Sequence, residues 1–156
     1  MGYLERWEEG EELTAKEYLQ QIRVKGTVIS QLQKEREDLR QTLFSLGSQD
    51  YGERVQSSGE TDKFGAVYAK IDLKDREIAE QLIEYIEFRS KVVGEIHSLK
   101  NNRHIIILYK IYIEGKSFSE IAEETNYNYD HVRRLHRNAL KVFKRCPTMS
   151  DKDVVK

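Results

Sequence analysis

The sequence predicts an all-α protein, with two long amphipathic helices, antiparallel to each other, followed by a compact unit of short helices. Three observations carry this. Apolar residues recur at alternating spacings of four and three along two long stretches. Capping boxes of the form Ser/Thr-x-x-Glu stand at Thr14–Glu17 and Ser117–Glu120, where they satisfy the orphan amides of a helix start. The chain has a single proline, Pro147, so nothing locked in φ interrupts the body of the sequence.

The elements follow in order. Residues 1–13 are acidic, carry Tyr3, Leu4 and Trp7 as their apolar side chains, and read as a short helix. The first long helix opens at Thr14. Its seam runs Tyr18, Ile22, Lys25, Ile29, Leu32, Arg36, Leu39, Leu43 and Leu46, a heptad pattern with two charged interruptions. Gly26 weakens it locally and Gly47 closes it. Residues 47–61 hold four Ser/Thr and three Gly without periodicity, the composition of a flexible loop. A second seam then runs Phe64, Tyr68, Ile71, Asp75, Ile78, Leu82, Tyr85, Arg89, Val92, Ile96 and Leu99. Folding one helix back on the other sets Arg36 near Asp72 or Asp75, Lys25 near Glu80 or Glu84, and Arg89 near Glu17. Such pairs fix an antiparallel register. The same seams could equally join separate chains, and periodicity does not choose between the two.

Charge divides the chain. Met1 to Leu99 carry 14 Lys/Arg against 20 Asp/Glu, a balance of −6, whereas Lys100 to Pro147 carry 10 against 5, a balance of +5. A basic end on an acidic body points to a polyanion partner for that end alone. The lone cysteine, Cys146, excludes an intramolecular disulfide and a cysteine-rich zinc site. The four histidines lack partners at ligand spacing, so no metal or other cofactor is expected. No apolar run reaches the roughly 20 residues of a membrane helix. With no secretory pattern either, a cytoplasmic protein without membrane contact is expected. Phosphate loops and nucleophile elbows are absent as motifs, so the chain is not expected to be an enzyme.

The carboxyl-terminal third holds the richest pattern. Asn101 and Asn102 are good helix caps. Arg103 to Ile113 is apolar enough for a buried strand, but the residues after it offer helical partners, so it reads as helix. A turn at Glu114-Gly115-Lys116 leads into a short helix from Ser117 through Thr125, with Phe118, Ile121 and Ala122 on one face. Asn126 stands where the next turn needs a residue tolerant of positive φ. Asn128 then caps a last helix running to about Arg145. Val132, Leu135, Ala139, Val142 and Phe143 share its apolar face, opposite Asp130, Arg133, Arg134, Arg137, Lys141, Lys144 and Arg145. A short helix, a tight turn and an amphipathic helix with a basic outer face make a helix-turn-helix.

The stretch YIEGKSFSEIAEETNYNYDHVRRLHRNALKVFKR resembles region 4 of bacterial sigma-70 factors. It shares an apolar helix ending in Tyr-x-Glu-Gly, a Ser-aromatic-x-Glu-Ile-Ala-Glu helix and a Val-containing recognition helix. The match covers about Arg103 to Arg145. Preceded by acidic coiled-coil helices, it is similar to the ArpU/RinA-type late transcription regulators of phages and prophages of Gram-positive bacteria. Two positions depart from the pattern: Asn126 replaces the usual glycine and Thr125 a usual apolar residue. No promoter-melting segment like region 2 is evident, so a complete sigma factor is not expected.

The resemblance implies a sequence-specific regulator of transcription that binds double-stranded DNA, with RNA polymerase as a further partner and the long helices joining copies into a homo-oligomer. The DNA contacts expected are Lys116 and Ser117 at the start of the first short helix, with Asn128, Tyr129, Asp130, His131, Arg133, Arg134, Arg137 and Lys141 on the last. Two other readings stand beside it. One is a DNA-packaging adaptor like a small terminase subunit, the other a structural helical oligomer without DNA binding. The domain plan is a long-helix region over 1–100, a DNA-binding domain over 101–147 and a disordered tail over 148–156.

Overall fold

The structure, a computed structural model, describes residues 14–48 and 60–145. Among these residues all regular structure is helical: α1 (Ala15–Ser48), α2 (Glu60–His97), α3 (Asn102–Leu108), α4 (Phe118–Thr125) and α5 (Tyr129–Arg145). Between α3 and α4 the chain makes one π-helical turn, Tyr109–Ile113. The all-α expectation holds. The readings of 1–13 as a short helix and of 148–156 as a disordered tail fall outside the described residues, as do Cys146 and Pro147. The 47–61 loop is shorter than expected at both edges, because Gly47 and Ser48 finish α1 while Glu60 and Thr61 begin α2. An isolated glycine and polar residues at a helix end cost too little to stop a helix of this length.

The described residues form two compact units, one of Val24–Phe88 and one joining the stretch up to Arg23 with that from Arg89 onward. The first is a helical hairpin. Ile29 and Leu32 of α1 and Ile71 and Ile78 of α2 are buried along it, all on the seams read from sequence. Charges lock its register as the spacing anticipates: Arg36 Nη1 lies 2.9 Å from Asp75 Oδ1, and Lys25 Nζ lies 3.7 Å from Glu84. Lys74 adds a bridge to Glu35 at 2.7 Å. Within this unit the two seams face each other in one chain. Tyr68 and Leu82 are the seam residues that stay exposed, at 61% and 41%.

The second unit groups the first turns of α1 and the last turns of α2 with α3, α4 and α5. Leu19, Ile22, Val92, Ile96 and Leu99 are buried in this unit, as are Ile107, Leu108, Tyr112, Ile121, Val132, Leu135, Ala139 and Phe143. The Tyr18 hydroxyl donates to Glu95 at 2.8 Å, and its ring meets Phe143 with centroids 6.2 Å apart. Burial and that bond push the Tyr18 hydroxyl well above the usual phenol range. Short helices bury little apolar surface by themselves, and the long-helix ends of the same unit add to it. The expected Arg89–Glu17 pair gives way, because the Glu17 carboxylate turns to the Thr14 amide and hydroxyl at 2.9 and 2.8 Å. Those bonds lower its pKa.

Candidate nucleic-acid interface

Local chemistry sets each part of the helix-turn-helix. Asn101 caps α3, its side chain accepting from the Arg103 amide at 2.9 Å. The apolar run then packs Ile107 and Leu108 inward. Its π turn, invisible to periodicity, sends the Glu114 amide to the Tyr109 carbonyl at 3.1 Å and the Lys116 amide to the Lys110 carbonyl at 2.9 Å. Gly115 follows at φ 72°, a conformation glycine adopts without strain. The Ser117–Glu120 capping box opens α4 as the spacing requires. Asn126 closes it in the left-handed region at φ 54° and ψ 30°, donating its amide to Ala122. The departure from glycine at this turn is thus carried by the L-residue that tolerates the geometry best.

Ile107, Ile121, Val132 and Leu135 form the core of this arrangement, with Ile111, Phe118 and Ala122 packed against them. Val142, expected on the apolar face of α5, is 39% exposed at its edge. His136 flanks the core. Its Nε2 shares a 2.9 Å hydrogen bond with the Tyr112 hydroxyl, and its ring lies 5.2 Å from that of Phe118. Burial, then the charge of Lys16, lowers the His136 pKa, so the ring is neutral at pH 7. Burial also pushes Tyr112 up to about 12.

The expected contact residues divide into two groups. Arg133, Arg134, Arg137 and Lys141 are exposed on α5, opposite its buried face. Among the described residues none of the four has a carboxylate partner. They span nine residues, about 12 Å of helix, comparable to the width of a major groove. Asp130 is exposed beside them, its charge favourable in the first turn of a helix. Tyr129 is 45% exposed, its ring edge-on to Phe118. The second group is engaged within the protein. Asn128 spends its side-chain oxygen on the Asp130 amide at 3.0 Å. The half-buried His131 meets the ring of Tyr127 edge-on at 4.9 Å. The Ser117 hydroxyl and amide are both bonded to Glu120. Lys116 is bridged to Glu124 at 2.7 Å and Glu114 at 2.9 Å, which raises its pKa.

Two participants escaped the sequence reading. Tyr127 supports His131 through a ring contact that no spacing rule signals. Lys110 reaches Glu124 at 2.6 Å across 14 residues, so that Glu124 is shared between Lys110 and Lys116 and its carboxyl pKa is lowered. Lys110 and Lys116 are therefore neutralised, while Arg133, Arg134, Arg137 and Lys141 have no carboxylate partner among the described residues. Among the described residues no cluster of His, Cys, Asp and Glu could hold a metal ion, and no helix is long and apolar enough to cross a membrane. No family model, curated protein or solved structure matches the chain.

Proposed function

We propose that the chain is a double-stranded DNA-binding regulator of transcription that docks α5 into the major groove. One observation supports this above the others. Two helices joined by the Asn126 turn present four exposed cations on the outer face of α5, and none of them is paired among the described residues. Unpaired guanidinium groups on an α-helix are the chemistry that guanine edges and phosphates accept, since Arg bonds guanine bidentately and released counterions supply affinity. By contrast, Lys116 and Ser117 are engaged internally, so in this reading they shape the turn rather than touch DNA. The protein acts in the cytoplasm as a binding protein and not as a catalyst, and its resemblance to phage-type regulators makes RNA polymerase a partner.

The test is the pair Arg134→Ala and Arg137→Ala in the full chain. Specific binding in a mobility-shift assay is expected to vanish, while helicity and melting temperature stay near wild type, because exposed substitutions cost within about 0.5 kcal/mol. Wild-type affinity in the double variant would remove α5 as the DNA face. Self-association belongs to the same proposal. The surfaces offered to a second copy are the exposed apolar residues of the hairpin, among them Val24 and Phe44 on α1 and Tyr68, Leu73, Ile83 and Ile86 on α2. Sedimentation of the wild type against Ile83→Lys with Ile86→Lys tests this, and a monomeric wild type would end it.

A further inference from the structure

We infer that the acidic residues 1–13 occupy the cationic face of α5 when DNA is absent, and that DNA must displace them. The inference rests on the reading of α5 as the DNA face and adds how that face is regulated. Between Met1 and Leu13 stand Glu5, Glu8, Glu9, Glu11 and Glu12 against Arg6 alone. Such density of one sign has no use for a buried core and suits a cationic surface.

The described residues supply that surface and bring the start of α1 to it. Tyr129, Arg133, Arg137 and Lys141 are exposed and follow one another at intervals of four, one continuous row on the helix. His136 and Leu140 form the adjoining row, each three residues from a member of the first. It is on this side that α1 begins. Lys16 stands close enough to His136 for its charge to act there, and Tyr18, one turn above the Thr14 cap, touches Phe143. Thirteen residues reach at most roughly 45 Å when extended, and α5 with its 17 residues is about 25 Å long, so the whole row lies within range. Tyr129, exposed, and Leu140, half-buried, offer that segment apolar footholds beside the cations. The four cations are balanced by nothing else among the described residues, so an acidic occupant gains Coulomb energy without breaking an existing pair.

Trp7 is the only tryptophan, which makes the contact directly visible. Acrylamide quenching of the full chain without DNA should show Trp7 shielded at low salt. It should become accessible at high salt and in Arg133→Gln with Arg137→Gln. In parallel, a full chain carrying Glu8→Gln, Glu9→Gln, Glu11→Gln and Glu12→Gln should bind a short labelled duplex of random sequence roughly tenfold more tightly than wild type at low salt, within the usual range for coupled sites. That gain should shrink as salt rises. Trp7 quenched equally in wild type and in the arginine variant overturns the contact. An affinity unchanged by the glutamines overturns the competition. A shielded Trp7 in a chain that binds no duplex, with or without the glutamines, overturns the DNA reading alone and leaves the acidic segment seated on α5.

Discussion

Leu19→Ala tests whether the base of α1 is part of the helix-turn-helix unit, more than 80 residues away in sequence from its nearest short helix. Leu19 lies beside the seam, not on it, yet it is fully buried, as are Val92 and Ile96 of α2 and Val132 of α5 in the same compact unit. Truncating a fully enclosed leucine removes its transfer free energy and leaves a cavity, together about 2–5 kcal/mol. If the unit opens as one body, amide protection in α4 and α5 should fall by roughly 30- to 3,000-fold, each 1.4 kcal/mol being a factor of ten. Native-state hydrogen exchange resolved by residue is the assay. Leu39→Ala, a half-buried seam position within Val24–Phe88, is the control and should leave α4 and α5 protection near wild type. Protection of α5 in Leu19→Ala within about twofold of wild type would refute the reasoning, because α3 to α5 would then hold their own core.

Stability should also depend on His136. Its folded-state pKa lies below the ordinary value of about 6.5, so the unfolded chain binds the extra proton first. The contribution is full above that value and is lost as pH falls through the lower folded pKa. Denaturation midpoints should therefore decline on acidification from neutral pH, and His136→Gln should flatten that slope. At the α4 turn, Asn126→Ala should destabilise by about 1–2 kcal/mol relative to Asn126→Gly, since an alanine at positive φ meets the left-handed penalty that glycine escapes; thermal denaturation reads the difference. Val132→Asp buries an unpaired carboxylate at a position with no exposure, and should strip exchange protection from Arg103 to Arg145. Undiminished protection there would mean that Val132 is not core.

Much of this architecture was legible in the chain because local rules govern it. The seams from Tyr18 and from Phe64 follow a period set by helix geometry, and Thr14–Glu17, Ser117–Glu120 and Asn101 cap helices through bonds spanning only two or three residues. Asn126 was readable for the same reason, a single residue's tolerance for positive φ. Even the Arg36–Asp75 and Lys25–Glu84 pairs followed from spacing once an antiparallel hairpin was assumed, because two helices in register leave one free parameter.

Only the tertiary structure decided the rest. Periodicity assigns a residue to a face but not to a partner, so Leu19 and Tyr18 gave no sign that they belong with α5 rather than with the hairpin. The π turn at Tyr109–Ile113 shifts the exit of α3 by one residue, a change smaller than any sequence pattern resolves. The division among the basic residues is likewise tertiary. Lys116 and Arg137 look alike in composition, but Lys116 lies against Glu114 and Glu124, whereas Arg137 has no carboxylate partner among the described residues.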